Sequence, residues 1–193
     1  MSQRDIIAKL TDQELRKQVM ISQFLLVAIA IFLSLFLFDS FTDWMHYFKW
    51  DPEEIVYFGM LPGILIVLID ILLFITLPHA AFNDGGINER LFKKQSVGFI
   101  FLLSFFVACS EELLFRGVIQ TSFGYIIASI LFALVHIRYL KKPVLFISVL
   151  LVSFYIGYLF EQTGNLIVTI TAHFIVDFLL GLTIRFYKGG MNQ

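Results

Sequence analysis

"QSVGFIFLLSFFVACSEELLFRGVIQ", residues 95–120, decides what kind of fold this chain can adopt. Residues 95–110 carry no charge, and then Glu111, Glu112 and Arg116 arrive within six positions. A helix that crosses a bilayer needs about 20 mainly apolar residues. The stretch therefore reads as such a helix running directly into three of the most costly side chains to bury. Ionisable groups inside a bilayer are rare, face the bundle interior and mark functional sites by default.

Working outward, the rest of the chain has the same character. Of its 193 residues 59% are hydrophobic, with a mean hydropathy of +0.85 and 23 phenylalanines. Soluble domains run at about 45–50% apolar and about 25% charged; here the charged fraction is 15%. Uncharged or nearly uncharged runs occupy residues 19–38, 55–78, 95–110, 117–137, 143–160 and 165–184. These predict an all-α, polytopic membrane bundle of about six transmembrane helices, with the third and fourth on either side of the charged motif. The length allows one compact domain. A net charge of −1 with no basic stripe argues against nucleic acid as a partner. Cys109 is the single cysteine, so no intrachain disulfide is possible, and in its apolar run it reads as a packing residue.

Lys and Arg orient the bundle, because cytoplasmic segments are enriched in them. The N-terminal segment, the loops after the second and fourth runs, and the C-terminal segment together hold 12 of the 14. With six passes these four segments fall on one side, which places both termini in the cytoplasm. Lys49, in the acidic loop "FDSFTDWMHYFKWDPEE", and Arg116 are the exceptions. Residues 1–18 read as an amphipathic cytoplasmic segment rather than a cleavable signal peptide. Two spans and their loops fill 19–94, a helical core carrying the ionisable groups fills 95–186, and 187–193 is a tail. Gly85-Gly86 and Pro143 are loop punctuation.

At about 100° per residue, Glu112 and Arg116 lie about 40° apart on a helix and can form an i, i+4 ion pair. Glu111 points about 140° away from Arg116. One carboxylate is thus neutralised locally and the other is aimed elsewhere, as a candidate general base. In "LFALVHIRY" Phe132 and His136 are four apart, and in "TAHFIVDFL" so are His173 and Asp177. An acid beside a histidine can fix its tautomer and orientation. Glu111, His136 and His173, brought together from three helices, could bind a divalent metal such as zinc, or hold a water for attack without one. A donor at His173 could instead stabilise an oxyanion. Each of these is chemistry for cleaving an amide. Structural readings compete: an isolated Glu112–Arg116 pair is an ordinary ion pair, and Asp70 reads as a packing or interfacial group. The Gly-x-Ser-x-Gly elbow, the His-Glu-x-x-His zinc helix, the P-loop and the dinucleotide fingerprint are all absent from the sequence.

Three motifs in order carry a resemblance. "EELLFR" (Glu111, Glu112, Arg116) resembles the Glu-Glu-x-x-x-Arg motif of the CPBP family, which takes in the type II CAAX prenyl proteases and bacteriocin-processing proteins and is also called the Abi family. "FALVH" (Phe132, His136) and "HFIVD" (His173, Asp177) are similar to its other two motifs. The likeness covers roughly residues 95–185. It implies an intramembrane endopeptidase, of glutamate or metal-dependent type, in a bacterial cell membrane, acting on a membrane-associated protein or peptide. Glu111 and His136 would activate the water, and His173 with Asp177 would form the oxyanion side or help bind metal. Glu112, Arg116 and Phe132 would support them. Asp177 departs from the prenyl-protease pattern, which has Asn there, and an ionised Asp cannot donate to an oxyanion as Asn can. Two other readings are a non-enzymatic scaffold or bacteriocin-immunity protein, and a proton-coupled transporter using Glu111 or Asp70. The transporter reading lacks the paired broken helices or internal repeat expected of one.

Overall fold

The computed structural model describes residues 10–187, which form helices joined by short turns, with no strand among the described residues. In chain order the helices are α1 (Asp12–Leu37), α2 (Pro52–Thr76), the short α3 (Ile87–Phe92), α4 (Val97–Phe123), α5 (Tyr125–Val135), α6 (Pro143–Thr163) and α7 (Leu166–Phe186). Local chemistry sets their starts. Thr11 and Glu14 close a capping box on α1, with the Glu14 amide 3.2 Å from Thr11 Oγ1 and the Thr11 amide 2.7 Å from Glu14 Oε2. Pro52 and Pro143 sit in the first turns of α2 and α6, where a missing N–H costs nothing. Ser96 caps α4 and Asn165 caps α7. Residues 12–18, part of the segment expected to be amphipathic, belong to the same continuous helix as the first span, while residues 1–9 and the tail from 188 lie outside the described residues.

Five of the helices are long and apolar enough to cross a membrane, and α5, with 11 residues, is not. The boundary expected between 110 and 117 is absent. The helix runs unbroken through the charged motif for 27 residues, with a π-helical stretch at Leu113–Gln120. It stops at Gly124, whose φ of +90° only glycine adopts freely. At 1.5 Å per residue α5 rises about 16 Å, roughly half of a ~30 Å hydrocarbon core.

The chain still passes six times between two ends. At one end Arg90 pairs with Asp12 at 2.7 Å, Arg138 reaches Asn88 at 3.3 Å, and Lys93 donates to the Tyr187 carbonyl. These contacts gather all four basic segments, and both described chain ends, on one side, the cytoplasmic one. At the other end Lys49 donates to the Thr163 carbonyl at 3.1 Å, and Asn165 donates to the Lys49 carbonyl at 2.9 Å. Thr121 and Ser122 line a small depression there with Phe38, Asp43 and Tyr47.

Side-chain placement is inverted relative to a soluble protein. Phe24, Phe32, Phe36, Leu72, Leu102, Ile126 and Leu151 face outward, while Gln23, Ser110, Glu112, Arg116, Ser153, Thr169 and His173 are buried. Outward apolar groups meet lipid, and inward polar groups pair with one another. Helix α7 lies at the centre, packed against α2, α3, α4 and α6. Gly59 and Gly63 let α2 approach it closely. A Cβ on Gly63 would stand 2.9 Å from the Ala172 carbonyl and 3.0 Å from Ile175 Cβ, inside contact distance.

Candidate active site

Four helices supply the site: α4 gives Glu111, Glu112 and Arg116, α5 gives Phe132 and ends at His136, α6 gives Ser153, and α7 gives His173 and Asp177. Glu111 stands 14 residues into α4, or about 21 Å along its axis, which places the cluster near mid-depth.

His173 is the centre of the cluster. Its Nδ1 lies 2.8 Å from Glu112 Oε1. A carboxylate only accepts, so Nδ1 carries the proton and Nε2 is turned toward the remaining acids. Glu111 Oε2 lies 3.9 Å from that nitrogen and Asp177 Oδ2 lies 3.6 Å from it. The i, i+4 geometry expected for His173 and Asp177 therefore holds, but the strong hydrogen bond to the ring comes from Glu112 on another helix.

Glu112 has a second partner. Its Oε2 stands 3.3 Å from Arg116 Nε, and both side chains are 0% exposed. The Thr169 hydroxyl of α7 lies beside the same carboxylate. Arg116 is held in turn by Ser153, through its carbonyl at 3.0 Å and its hydroxyl at 3.3 Å, and its guanidinium lies 4.6 Å above the Phe132 ring. A buried charge survives only when paired and hydrogen-bonded. The chain Ser153–Arg116–Glu112–His173 meets that condition across α6, α4 and α7.

Phe132 carries both histidines, with its ring centroid 5.0 Å from His136 and 5.8 Å from His173. His136 Nδ1 is 2.8 Å from the Phe132 carbonyl oxygen. That oxygen can only accept, so Nδ1 is protonated and Nε2 offers a lone pair when the ring is neutral. His136 also stacks on Tyr139, at 5.9 Å and 13°. Tyr139 sits beyond the helices, where burial pushes its hydroxyl above the usual tyrosine range and keeps it neutral.

Exposure rises outward through the cluster. Glu112 and Arg116 are sealed, His173 and Glu111 are nearly so, and the Asp177 side chain is 34% open. Glu111 Oε2 is buried without a hydrogen-bond partner. Among the described residues no group of three or more His, Cys, Asp or Glu is placed to hold a metal ion. Glu111 and His173 face one another, and His136 joins them through the Phe132 ring. No hydrogen bond or ion pair joins Asp70 to the cluster. Sequence reasoning missed Ser153, Tyr139, Thr169 and Gln23, whose Oε1 accepts from the Ser110 hydroxyl next to Glu111 at 2.5 Å. Ser153 is a lone polar residue in an apolar run, which was its only signal, and Tyr139 stands among the basic residues of the segment 138–142, where nothing marked it.

Buried acids and histidines thus converge inside a lipid-facing helical bundle. The family model described as type II CAAX prenyl endopeptidase Rce1-like matches residues 93–179, which contain all three motifs. The chain is also 39% identical over 165 residues to YpbD of Bacillus subtilis (strain 168), which is described as an uncharacterized protein; the match covers 86% of this chain and 87% of that one. No solved structure matches. The chain belongs to the Rce1-like family of type II CAAX prenyl endopeptidases, and is a multi-pass integral protein of a bacterial plasma membrane.

Proposed function

We propose that the protein is an intramembrane endopeptidase that hydrolyses a peptide bond of a membrane-associated protein or peptide, using a water activated by Glu111. The observation that carries this reading is the unpartnered, buried Glu111 Oε2 facing His173 Nε2 at 3.9 Å, with the His173 ring held by Glu112 from behind. Family membership supports the same reaction class.

In this reading Glu111 takes a proton from water as its oxygen adds to the scissile carbonyl carbon, and the His136 Nε2 lone pair accepts the water's other hydrogen bond. The carbonyl π pair moves onto oxygen, and that oxyanion is met from the α7 side by His173 acting as the imidazolium, its Nδ1–H on Glu112 and its Nε2–H turned to the oxyanion, with Asp177 beside it. The oxyanion then collapses, the C–N bond breaks, and protonated Glu111 returns its proton to the leaving amine. Glu112 and Arg116 touch no reacting atom and act by fixing His173. Asp177 stands where the prenyl-protease pattern has Asn, so the substrate need not carry a prenyl group.

The test compares membranes holding wild type or Glu111→Gln at matched levels, with new peptide N- and C-termini profiled by mass spectrometry. Removing a general base costs about 10²–10⁴-fold, so termini seen with wild type should vanish with the variant. Identical profiles, with Glu111→Gln still complementing a deletion, would favour a scaffold or immunity role.

A further inference from the structure

We infer that Tyr139 is a positioning residue for His136, and that the second cytoplasmic loop, through Asn88, sets the orientation of that histidine. The inference rests on the role given to His136 above.

His136 lies just past the last turn of α5, where helical hydrogen bonding no longer constrains it. Its backbone dihedrals, φ −78° and ψ 52°, are no longer helical. A side chain at a frayed end ordinarily samples several rotamers, which suits neither proton transfer nor a fixed acceptor. Here the imidazole meets two rings, Phe132 at 5.0 Å and Tyr139 at 5.9 Å, the latter nearly parallel to it at 13°. The two rings fix the imidazole plane, and the 2.8 Å contact from Nδ1 to the Phe132 carbonyl fixes which nitrogen points into the site.

Phe132 is itself fixed by the Arg116 guanidinium and the Phe115 ring. Tyr139 belongs to a three-residue 3₁₀ turn and needs a different anchor. It is buried, and its hydroxyl takes a hydrogen bond from Arg138 at 2.6 Å and from the Asn88 amide at 3.3 Å. Arg138 also reaches Asn88 Oδ1 at 3.3 Å, which closes a triangle of three side chains. The Asn88 backbone in turn is held by Asp84, whose carboxylate accepts from the Asn88 main-chain N–H at 2.9 Å and caps the start of α3. Helix α3 is tied down by Arg90 on Asp12. The orientation of His136 is therefore transmitted from a loop 50 residues away in sequence, which no motif of the site contains.

The experiment uses the full chain in lipid nanodiscs, with histidine ring nitrogens labelled with ¹⁵N and the His136 signals assigned by their loss in His136→Gln. Wild type should show one sharp pair, with the proton on Nδ1. Tyr139→Leu should collapse it to an exchange-broadened average of both tautomers, with the His173 signals unmoved. In membranes, Tyr139→Leu should cut the yield of wild-type-dependent termini at least tenfold. Tyr139→Phe, which keeps the ring and loses the hydroxyl, should cut it about three- to fivefold. Asn88→Ala, which leaves the Arg138 hydrogen bond to the hydroxyl in place, should cost no more than Tyr139→Phe, and the pair together should cost no more than Tyr139→Phe alone, since both act through that hydroxyl. An unchanged His136 spectrum in Tyr139→Leu would overturn the inference, as would multiplicative losses in the double variant. A changed spectrum in a protein whose wild type yields no termini would leave the aromatic clamp standing and sink the proteolytic reading instead.

Discussion

At the scale of single residues, adjacent glutamates have opposite surroundings. Glu112 is sealed between Arg116 and His173, whereas Glu111 Oε2 has no hydrogen-bond partner. The same change should therefore do opposite things at the two positions. Glu112→Gln leaves a buried guanidinium without its counter-charge, which costs about 3–5 kcal/mol. Glu111→Gln removes a charge that faces His173 only at 3.9 Å, and stability should stay within about 1 kcal/mol, because no hydrogen bond of its buried Oε2 is lost. Unfolding of the purified protein by graded denaturing detergent separates the two; equal midpoints would remove the distinction drawn between these carboxylates. The helical spacing of the sequence made the Glu112–Arg116 pair legible, and so was the separate aim of Glu111. The Glu112–His173 bond was not, because 61 residues and a different helix separate its ends, and spacing reports only neighbours on one helix.

At the scale of elements, the runs of apolar residues located the second, fifth and sixth spans to within about three residues, since a bilayer leaves few alternatives. They failed at the third and fourth, where the charges looked like a break. Those charges are satisfied by Ser153 of α6 and His173 of α7, so α4 continues through them and ends only at Gly124. Tertiary partners cannot be read from a local pattern, and a lone glycine is a weak sign of a stop. The glycines of α2 were likewise silent until α7 was seen against them. Gly63→Leu should push α7 outward and shift His173 and Asp177 with it, lowering both thermal stability and the yield of termini. Gly98, with open space around its Cβ position, is the control: Gly98→Ala should leave activity intact and gain about 0.5–1 kcal/mol. If Gly63→Leu melts like wild type in a nanodisc thermal scan, close α2–α7 approach is not what places the site.

At the scale of the molecule, the four segments rich in Lys and Arg meet at one end of the bundle even though one of the six passes is made by a helix too short to span. The pass survives because α5 is followed by the turn at Ile137–Tyr139, which carries the chain down to Asn88 and the other basic segments. This topology puts Met45 and Ser122 on the outer face and Lys94 and Lys141 on the cytoplasmic one. In a Cys109→Ala background, cysteines placed singly at these four positions report it directly. A membrane-impermeant thiol reagent added to intact cells should label positions 45 and 122 and spare 94 and 141 until the membrane is opened. Position 141 is the decisive one, because labelling there from outside would mean that α5 turns back without crossing. His136 and Asp177 would then face the opposite compartment, and the bound substrate segment would have to approach from outside the cell rather than from the cytoplasmic leaflet.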